Sequence, residues 1–415
     1  MKNSELQFTL EEVLPKFKSP LQKKILHSVD LIRKAERLAL SYDPENGYYN
    51  TFSGGKDSQC LYHIVKMSGV KHKTHMNLTS VDPPEVIRFV RTQYPDVELI
   101  KPKDSIFNIA VKRRLLPTMR VRWCCEEYKE TAGAGKVTLI GIRHSESARR
   151  ANRKEVEINS RKFSGTLDEL DEYRAARNEK LSKPHRGRPS KAKQITIVNA
   201  DGERVLGCIN GKESLLISPI IDWTEDDVWT FLNTLGIAHC ELYDQGFNRI
   251  GCIGCPMSQP KQKMKENERW PHVKRNWIKA IKAIRRGGGI TKRTYTSIGE
   301  GQSNEPLPMD MYGGTSPKTS HPAQASESGC VAGHYPPQQK ERINTGLWAG
   351  FSDGSSPGRL TEEQENEIAE NIYDWWISGK GYEKWYAEKF MQPKLDFDNI
   401  EETNDKQSDS NESKD

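Results

Sequence analysis

The chain has 415 residues, 35% of them hydrophobic and 29% charged, which is apolar content enough for one sizeable core with long polar segments beside it. Its formal charge of +6 is small for this length, so bulk charge alone does not mark a polyanion-binding protein. No apolar run approaches the roughly 20 residues of a membrane helix and Met1-Lys2-Asn3-Ser4-Glu5 begins no signal-peptide core, so a cytoplasmic protein with no membrane partner is expected.

Residues 1–45 read as an N-terminal helical segment, with helical apolar spacing from Leu21 to Ala39. The core, 46–150, opens on Gly47-Tyr48-Tyr49-Asn50-Thr51-Phe52, aromatic and β-branched as a buried strand should be. Ser53-Gly54-Gly55-Lys56-Asp57-Ser58 follows, and beyond it Leu61, Ile64 and Val65 recur at helical spacing. A glycine pair between strand and helix lets the backbone take positive φ and approach a ligand, so that amide groups and the helix N-terminus face phosphate oxygens, with Lys56 as a mobile cation. The alternative is a plain glycine turn capped by Asp57 or Ser58. The loop is not a Walker A loop, because no glycine stands five residues before Gly55 and an Asp follows the lysine.

Thr74 to Leu78 is the next expected strand. Asp82-Pro83-Pro84-Glu85 reads as a helix start with Asp82 as its capping acid, and Val86, Phe89 and Val90 then face a core. Thr79 and Asp82, after that strand, are candidate nucleotide contacts. Val97–Ile100 and the nearly all-apolar Val137-Thr138-Leu139-Ile140-Gly141-Ile142 complete four strands alternating with helices, which predicts an α/β protein with a doubly wound parallel sheet. The run Gly141 to Arg150 then lies where open α/β sheets place ligands. Arg143 and Arg150 suit phosphate charge and Glu146 a base or metal ion, against the alternative of a solvated charged loop. His144 has no evident partner and reads as solvated.

Residues 151–212 turn basic and polar and read as an insertion. Within it, Arg186-Gly187-Arg188-Pro189 matches an A·T minor-groove element or a solvated basic linker. Residues 213–286 continue the core: Leu215–Ile221 as a strand, then a helix capped at Thr224, carrying Val228, Phe231, Leu232 and Leu235 and ended by Gly236. Trp270–Ile284 reads as a helix. Residues 287–357 are expected to be flexible, 358–396 a C-terminal helical segment, and 397–415 a disordered acidic tail. Trp270, Trp277, Trp375 and Trp376 sit at helical spacing and are expected in a core.

Eight cysteines gathered in motifs suggest a reducing compartment and metal or redox use. Cys252-Ile253-Gly254-Cys255 has the C-x-x-C spacing that converges two thiolates on one centre, and Cys124-Cys125 and Cys240 are further donors. Five thiols are thus candidates for the four ligands of one centre. Zinc, a redox pair and buried cysteines are the alternatives. Cys60 reads as core, Cys208 and Cys330 as free thiols.

Ser53–Ser58 resembles the PP-loop of ATP pyrophosphatases, S-G-G-x-D-S. The tandem cysteines with a distant C-x-x-C resemble the 4Fe-4S motif of sulfonucleotide reductases, and Gly141–Arg150 resembles the G-x-R-x-x-E-S-x-x-R segment of the same family. Together they are similar to the phosphoadenosine phosphosulfate (PAPS) reductase family, particularly its phage and mobile-element branch. The R-W-C start at Arg122 and Lys129 also resemble DNA phosphorothioation enzymes. The resemblance implies an adenine nucleotide α hydrolase-like fold with a Cys-rich helical C-terminal part. It implies ATP, or PAPS or adenylyl sulfate (APS), with magnesium, held by Ser53 to Ser58, Thr79, Arg143, Glu146 and Ser147. Lys56, Asp57, Arg143 and Arg150 become the catalytic candidates, and Cys124, Cys252 and Cys255, with Cys125 or Cys240 as the fourth, become the ligands of a 4Fe-4S iron-sulfur cluster. One departure matters: the E-C-G-[IL]-H segment whose cysteine attacks sulfur in true reductases is missing from this sequence. The expected function is therefore an ATP pyrophosphatase that adenylates an acceptor, DNA or another nucleic acid, for cluster-assisted transfer of sulfur from a donor protein. The alternatives are a sulfonucleotide reductase and a non-catalytic DNA-binding regulator that senses nucleotide.

Overall fold

The computed structural model describes residues 2–159, 162–183, 194–198, 202–286, 360–386 and 388–389. Nine strands are described: β1 (Tyr48–Thr51), β2 (His72–Asn77), β3 (Glu98–Ile100), β4 (Val137–Leu139), β5 (Val156–Ile158), β6 (Ser164–Gly165), β7 (Thr196–Val198), β8 (Arg204–Leu206) and β9 (Leu215–Ile217). The longer helices are α1 (Ser19–Tyr42), α2 (Lys56–Ser68), α3 (Pro84–Gln93), α4 (Ile106–Arg113), α5 (Leu167–Ser182), α6 (Glu225–Thr234), α7 (Pro260–Arg269), α8 (Pro271–Arg285) and α9 (Glu362–Ser378).

The main sheet runs β3-β2-β1-β4-β9-β5-β6, and β7 pairs with β8 in a separate hairpin. Strands β3, β2, β1, β4 and β9 are parallel, whereas β5 and β6 add antiparallel pairings at one edge. From β1 the chain winds outward through β2 to β3 and returns to the other side of β1 as β4. That reversal opens a crevice beyond the carboxyl ends of β1 and β4, where open α/β sheets bind ligands.

Two apolar clusters fix the layers. One gathers α1, α2 and α6 against the sheet through Ile25, Ile32, Tyr48, Leu61, Leu139, Ile217 and Phe231. The other joins α2 and α3 to α4, α8 and α9 through Phe52, Tyr62, Val90, Phe107, Trp277 and Trp376. The alternate residue Tyr49 stacks instead on His75, ring centroids 4.2 Å apart, so that face of the sheet is more polar. α2 ends at Gly69, whose φ of +73° makes the left-handed stop cheap. The α6 cap is as expected: Thr224 accepts from Asp227 N–H, and Gly236 takes φ +65°.

Three expectations change. Asp82 does not cap α3, which begins at Pro84; its carboxylate accepts from Thr79 N–H (2.6 Å) and Thr79 hydroxyl (2.9 Å) instead, the local side-chain-to-backbone bonding that competes with capping. Residues 151–212 are not merely a basic insertion, because β5 and β6 extend the main sheet and Val156, Ile158 and Leu170 are buried in its core. Cys208 is a free thiol, yet it lies fully buried 3.4 Å from the Tyr42 hydroxyl. Cys60, Trp270, Trp277 and Trp376 are core residues as read from spacing. Arg186 to Pro189, Cys330, the 287–357 segment and the acidic tail lie outside the described residues. Among the described residues no helix is long and apolar enough to cross a membrane.

Candidate functional site

β1 delivers the chain into the glycine loop at the sheet crevice. Gly54 has φ +71°, and a Cβ there would lie 2.8 Å from Val86 Cγ1 and 3.0 Å from Val90 Cγ2, so α3 packs directly on the loop. Only glycine satisfies both demands. Ser58, in the first turn of α2, folds back: its hydroxyl donates to Gly55 O (2.8 Å) and accepts from Ser53 N–H (3.2 Å). Gln59 is fully buried and donates to Gly54 O at 3.4 Å, while its own oxygen accepts from Tyr94 hydroxyl at 2.8 Å. Tyr94 in turn accepts from Asn3 Nδ2 at 3.0 Å, so a buried polar chain runs from the N-terminal segment to the loop.

Lys56 begins α2 and is only 5% exposed. Its ammonium lies 3.5 Å from Glu225 Oε1, 3.9 Å from Asp57 Oδ2 and 3.5 Å from the Asn248 carbonyl. The end of β4 closes the other wall, where a Cβ on Gly141 would stand 3.1 Å from Asp57 O. Arg143, 2% exposed, crosses that gap and donates Nε–H to Asp57 Oδ1 at 2.6 Å and NH1 to Ser145 Oγ at 2.8 Å. A lysine and an arginine thus face the start of one helix, where backbone dipoles also favour anions.

The remaining candidates of that segment are structural neighbours. Glu146 accepts from Arg143 N–H (2.9 Å) and pairs with Arg150, so neither Glu146 nor Arg150 contacts the glycine loop through these bonds. Ser147 is exposed, its carbonyl accepting from Arg150 N–H at 2.8 Å. His144, expected to be solvated and unpartnered, is held between Asp222 (2.9 Å) and the Arg153 carbonyl (2.8 Å).

A second group of side chains forms beyond β2. Ile253 N–H donates to Val81 O at 2.8 Å, which docks the C-x-x-C turn on the loop that carries Thr79 and Asp82. Cys125, Cys252 and Cys255 all lie near enough to Cys124 to act on its charge. Arg122 NH2 lies 3.0 Å from Cys125 Sγ and Lys129 Nζ 3.5 Å from Cys252 Sγ. Hydrogen bonding from Cys124, with the Arg122 charge, pulls the Cys125 thiol below its ordinary range, while that same bond pushes Cys124 up. Cys240 stands apart: it is fully buried, and the charges that act on it are Glu241, Glu85 and Arg88. Four thiols from two segments with two cations beside them are a donor set that fits a thiolate-held centre. Among the described residues, however, no three His, Cys, Asp or Glu side chains close tightly enough to hold a single ion.

Sequence reasoning missed several supports. Tyr243 hydroxyl accepts from Lys56 N–H at 2.9 Å. Glu266, 3% exposed, accepts from Gly254 N–H at 2.7 Å and from Gln262 at 2.7 Å, bracing the C-x-x-C turn from α7. Lys263 donates from the same helix to the Ile377 carbonyl at the end of α9 (3.0 Å). No local pattern marks these residues, since Tyr243 and Lys263 act on segments distant in sequence and Glu266 acts on a turn outside its own helix.

The phosphoadenosine phosphosulfate reductase domain model matches residues 48–258, half of the chain. An uncharacterised protein of Methanocaldococcus jannaschii is 25% identical over 282 residues, 67% of this chain and 58% of that protein. Adenosine 5'-phosphosulfate reductase 2 of Bacillus subtilis is 36% identical over 58 residues, 14% of this chain and 25% of that enzyme. The chain therefore spans less than two thirds of either relative. Among solved structures, phosphoadenylyl-sulfate reductase of Candida auris overlaps with a TM-score of 0.29 at 15% identity, covering 55% of this chain and 95% of that one. Candida glabrata FMN adenylyltransferase with FAD and pyrophosphate overlaps with a TM-score of 0.33 at 15% identity, over 57% and 64% of the two chains. With its glycine loop, its mostly parallel sheet and a domain match spanning half its length, the chain belongs to the phosphoadenosine phosphosulfate reductase family.

Proposed function

We propose that this protein is an ATP pyrophosphatase of its family that adenylates an acceptor for sulfur transfer. The observation that carries the reading is the segment from Tyr243 to Cys255, which touches Lys56 of the glycine loop at its start and supplies the C-x-x-C thiols at its end. A phosphate site and a sulfur site are thereby held on one stretch of chain.

In this reading the amides of Gly54 to Ser58 and the Lys56 ammonium hold the β- and γ-phosphates. An acceptor nucleophile attacks the α-phosphorus, the bond to the bridging oxygen breaks with its electrons going to that oxygen, and pyrophosphate leaves with its negative charge balanced by Lys56 and Arg143. Asp57 holds the Arg143 guanidinium in place, and its second oxygen would be available to hold magnesium. Cys124, Cys125, Cys252 and Cys255 would hold a 4Fe-4S cluster, which when bound supplies a thiophilic centre for sulfur. The acceptor is a nucleic acid supplied with sulfur by a donor protein; exposed Arg122, 3.0 Å from Cys125 Sγ, supports an anionic acceptor there.

Incubation with ATP, magnesium and single- or double-stranded DNA or RNA tests the reading. Pyrophosphate release that depends on the acceptor and is abolished by Lys56→Ala is expected, and no release with any acceptor overturns it. Anaerobic purification with metal and sulfide analysis tests the thiol site, where zinc without acid-labile sulfide overturns the cluster. The stretch similar to adenosine 5'-phosphosulfate reductase favours a second reading, reduction of a sulfonucleotide. Sulfite formed from APS and a thiol donor without ATP would establish that reading instead.

A further inference from the structure

Lys56 is the first residue of α2, so its N–H has no partner within the helix. The residue before it, Gly55, has no side chain to cap with. In this structure the N–H is taken by the phenol of Tyr243, at 2.9 Å, and a Cβ on Gly55 would lie 3.4 Å from the same oxygen. The Tyr243 ring also stands 5.7 Å from the Lys56 ammonium, whose nearest backbone contact is the Asn248 carbonyl. Both donors of Lys56 therefore face one short segment, Tyr243 to Asn248.

The ring is held in that position rather than loosely placed. Trp229 meets it edge-on at 5.1 Å and His239 at 6.0 Å, and the Tyr243–Gly246 turn closes through Gly246 N–H to Tyr243 O at 3.0 Å. Burial pushes the phenol's pKa up, so the group on Lys56 N–H is a neutral hydroxyl oxygen.

We infer that Tyr243 is a positioning residue of the glycine loop whose hydroxyl and a phosphate oxygen compete for the same Lys56 N–H. The inference rests on the reading of the loop as a phosphate site and adds the residue that tunes its affinity. A neutral phenol oxygen accepts more weakly than an anionic phosphate oxygen, since charge-assisted bonds are roughly twice as strong. Phosphate displaces it at the cost of one neutral hydrogen bond. Tyr243 thus keeps the first amide of α2 satisfied and lowers affinity for anions that bring only weak charge.

Tyr243→Phe retains the ring, and with it the edge-on packing on Trp229, and deletes only the oxygen. Amide hydrogen exchange on the protein without added ligand is expected to be faster at Lys56 in the variant, with the rest of α2 unchanged. Titration with inorganic pyrophosphate is expected to give binding about 2- to 10-fold tighter than wild type, the worth of one neutral hydrogen bond. Unchanged exchange at Lys56 overturns the inference, as does pyrophosphate binding equal to or weaker than wild type. Failure of both proteins to bind pyrophosphate or ATP overturns the phosphate reading of the loop itself. The exchange measurement needs no ligand and so separates that failure from a failure of the Tyr243 contact.

Discussion

Arg143 Nε stands 2.6 Å from Asp57 Oδ1, tying the loop after β4 to the first turn of α2 across the crevice between β1 and β4. Arg143 is almost wholly buried, whereas the Asp57 side chain keeps 22% of its exposure. Removing the arginine leaves a carboxylate in a mostly closed site. Arg143→Ala is expected to cost about 2–3 kcal/mol in urea unfolding, the low end for a buried pair because water still reaches Asp57. In a double-mutant cycle with Asp57→Asn the two changes should be non-additive by about 1 kcal/mol or more. Additive effects would mean that the pair does not couple β4 to α2.

Gly54 makes a separable prediction. Gly54→Ala carries a backbone penalty at φ +71° of about 1–2 kcal/mol, and its Cβ also overlaps the Val86 and Val90 methyl groups. Relative to the Val86→Ala background, Gly54→Ala should cost less than it does in wild type, because the steric part is relieved, yet it should still cost the backbone part. Measured melting temperatures of the four proteins test this, and full rescue by Val86→Ala would refute the backbone contribution.

The glycine loop, the first four strands and the α6 cap are legible because each is set by local chemistry: glycine φ, alternation of apolar residues, and a Thr-to-Asp capping pair. The gathering of Cys124 and Cys125 with Cys252 and Cys255 is foreshadowed by the resemblance to the 4Fe-4S motif and not by spacing, which speaks only for the C-x-x-C pair, and the position of Cys240 is not foreshadowed, since burial decides it. Short β5 and β6 hide in basic composition because they span only three and two residues, of which Val156 and Ile158 alone are aliphatic, yet that suffices to join an existing edge. Gln59, Tyr94, Asn3 and Tyr243 support the loop through contacts that exist only once the chain is folded. Asp82 misleads because an acid before a proline-started helix can satisfy Thr79 as well as it can cap.

Glu266 links the C-x-x-C turn to α7 through Gly254 N–H. Glu266→Ala leaves that buried N–H without its acceptor, a loss of about 1–3 kcal/mol. The turn should open more often, so Cys252 and Cys255 should be alkylated faster by iodoacetamide in the variant while Cys60, deep in the core of α2, keeps its wild-type rate. Glu266→Gln retains an acceptor oxygen and should restore most of the protection. Equal labelling of Cys252 and Cys255 in wild type and Glu266→Ala would show that the carboxylate does not brace the turn.

His63 provides the pH dependence. It lies 1% exposed on α2 among Phe8, Tyr62 and Tyr94, with Nε2 3.5 Å from the Tyr94 hydroxyl and no partner for Nδ1 among the described residues. Burial, aided by the nearby Lys66 charge, lowers its pKa to about 3. The unfolded chain binds the proton near pH 6.5, so the unfolded state holds more protons than the folded one between those values. Stability contributed by the neutral ring is complete above about pH 6.5 and is lost as pH falls toward 3, at about 1.4 kcal/mol per pH unit. Replacing the ring by His63→Leu removes the titration and leaves no buried polar atom. Unfolding free energies from urea titrations between pH 7.5 and 5 should fall for wild type relative to His63→Leu, with a slope difference that approaches one proton toward pH 5. Parallel slopes would mean that His63 is protonated in the folded protein.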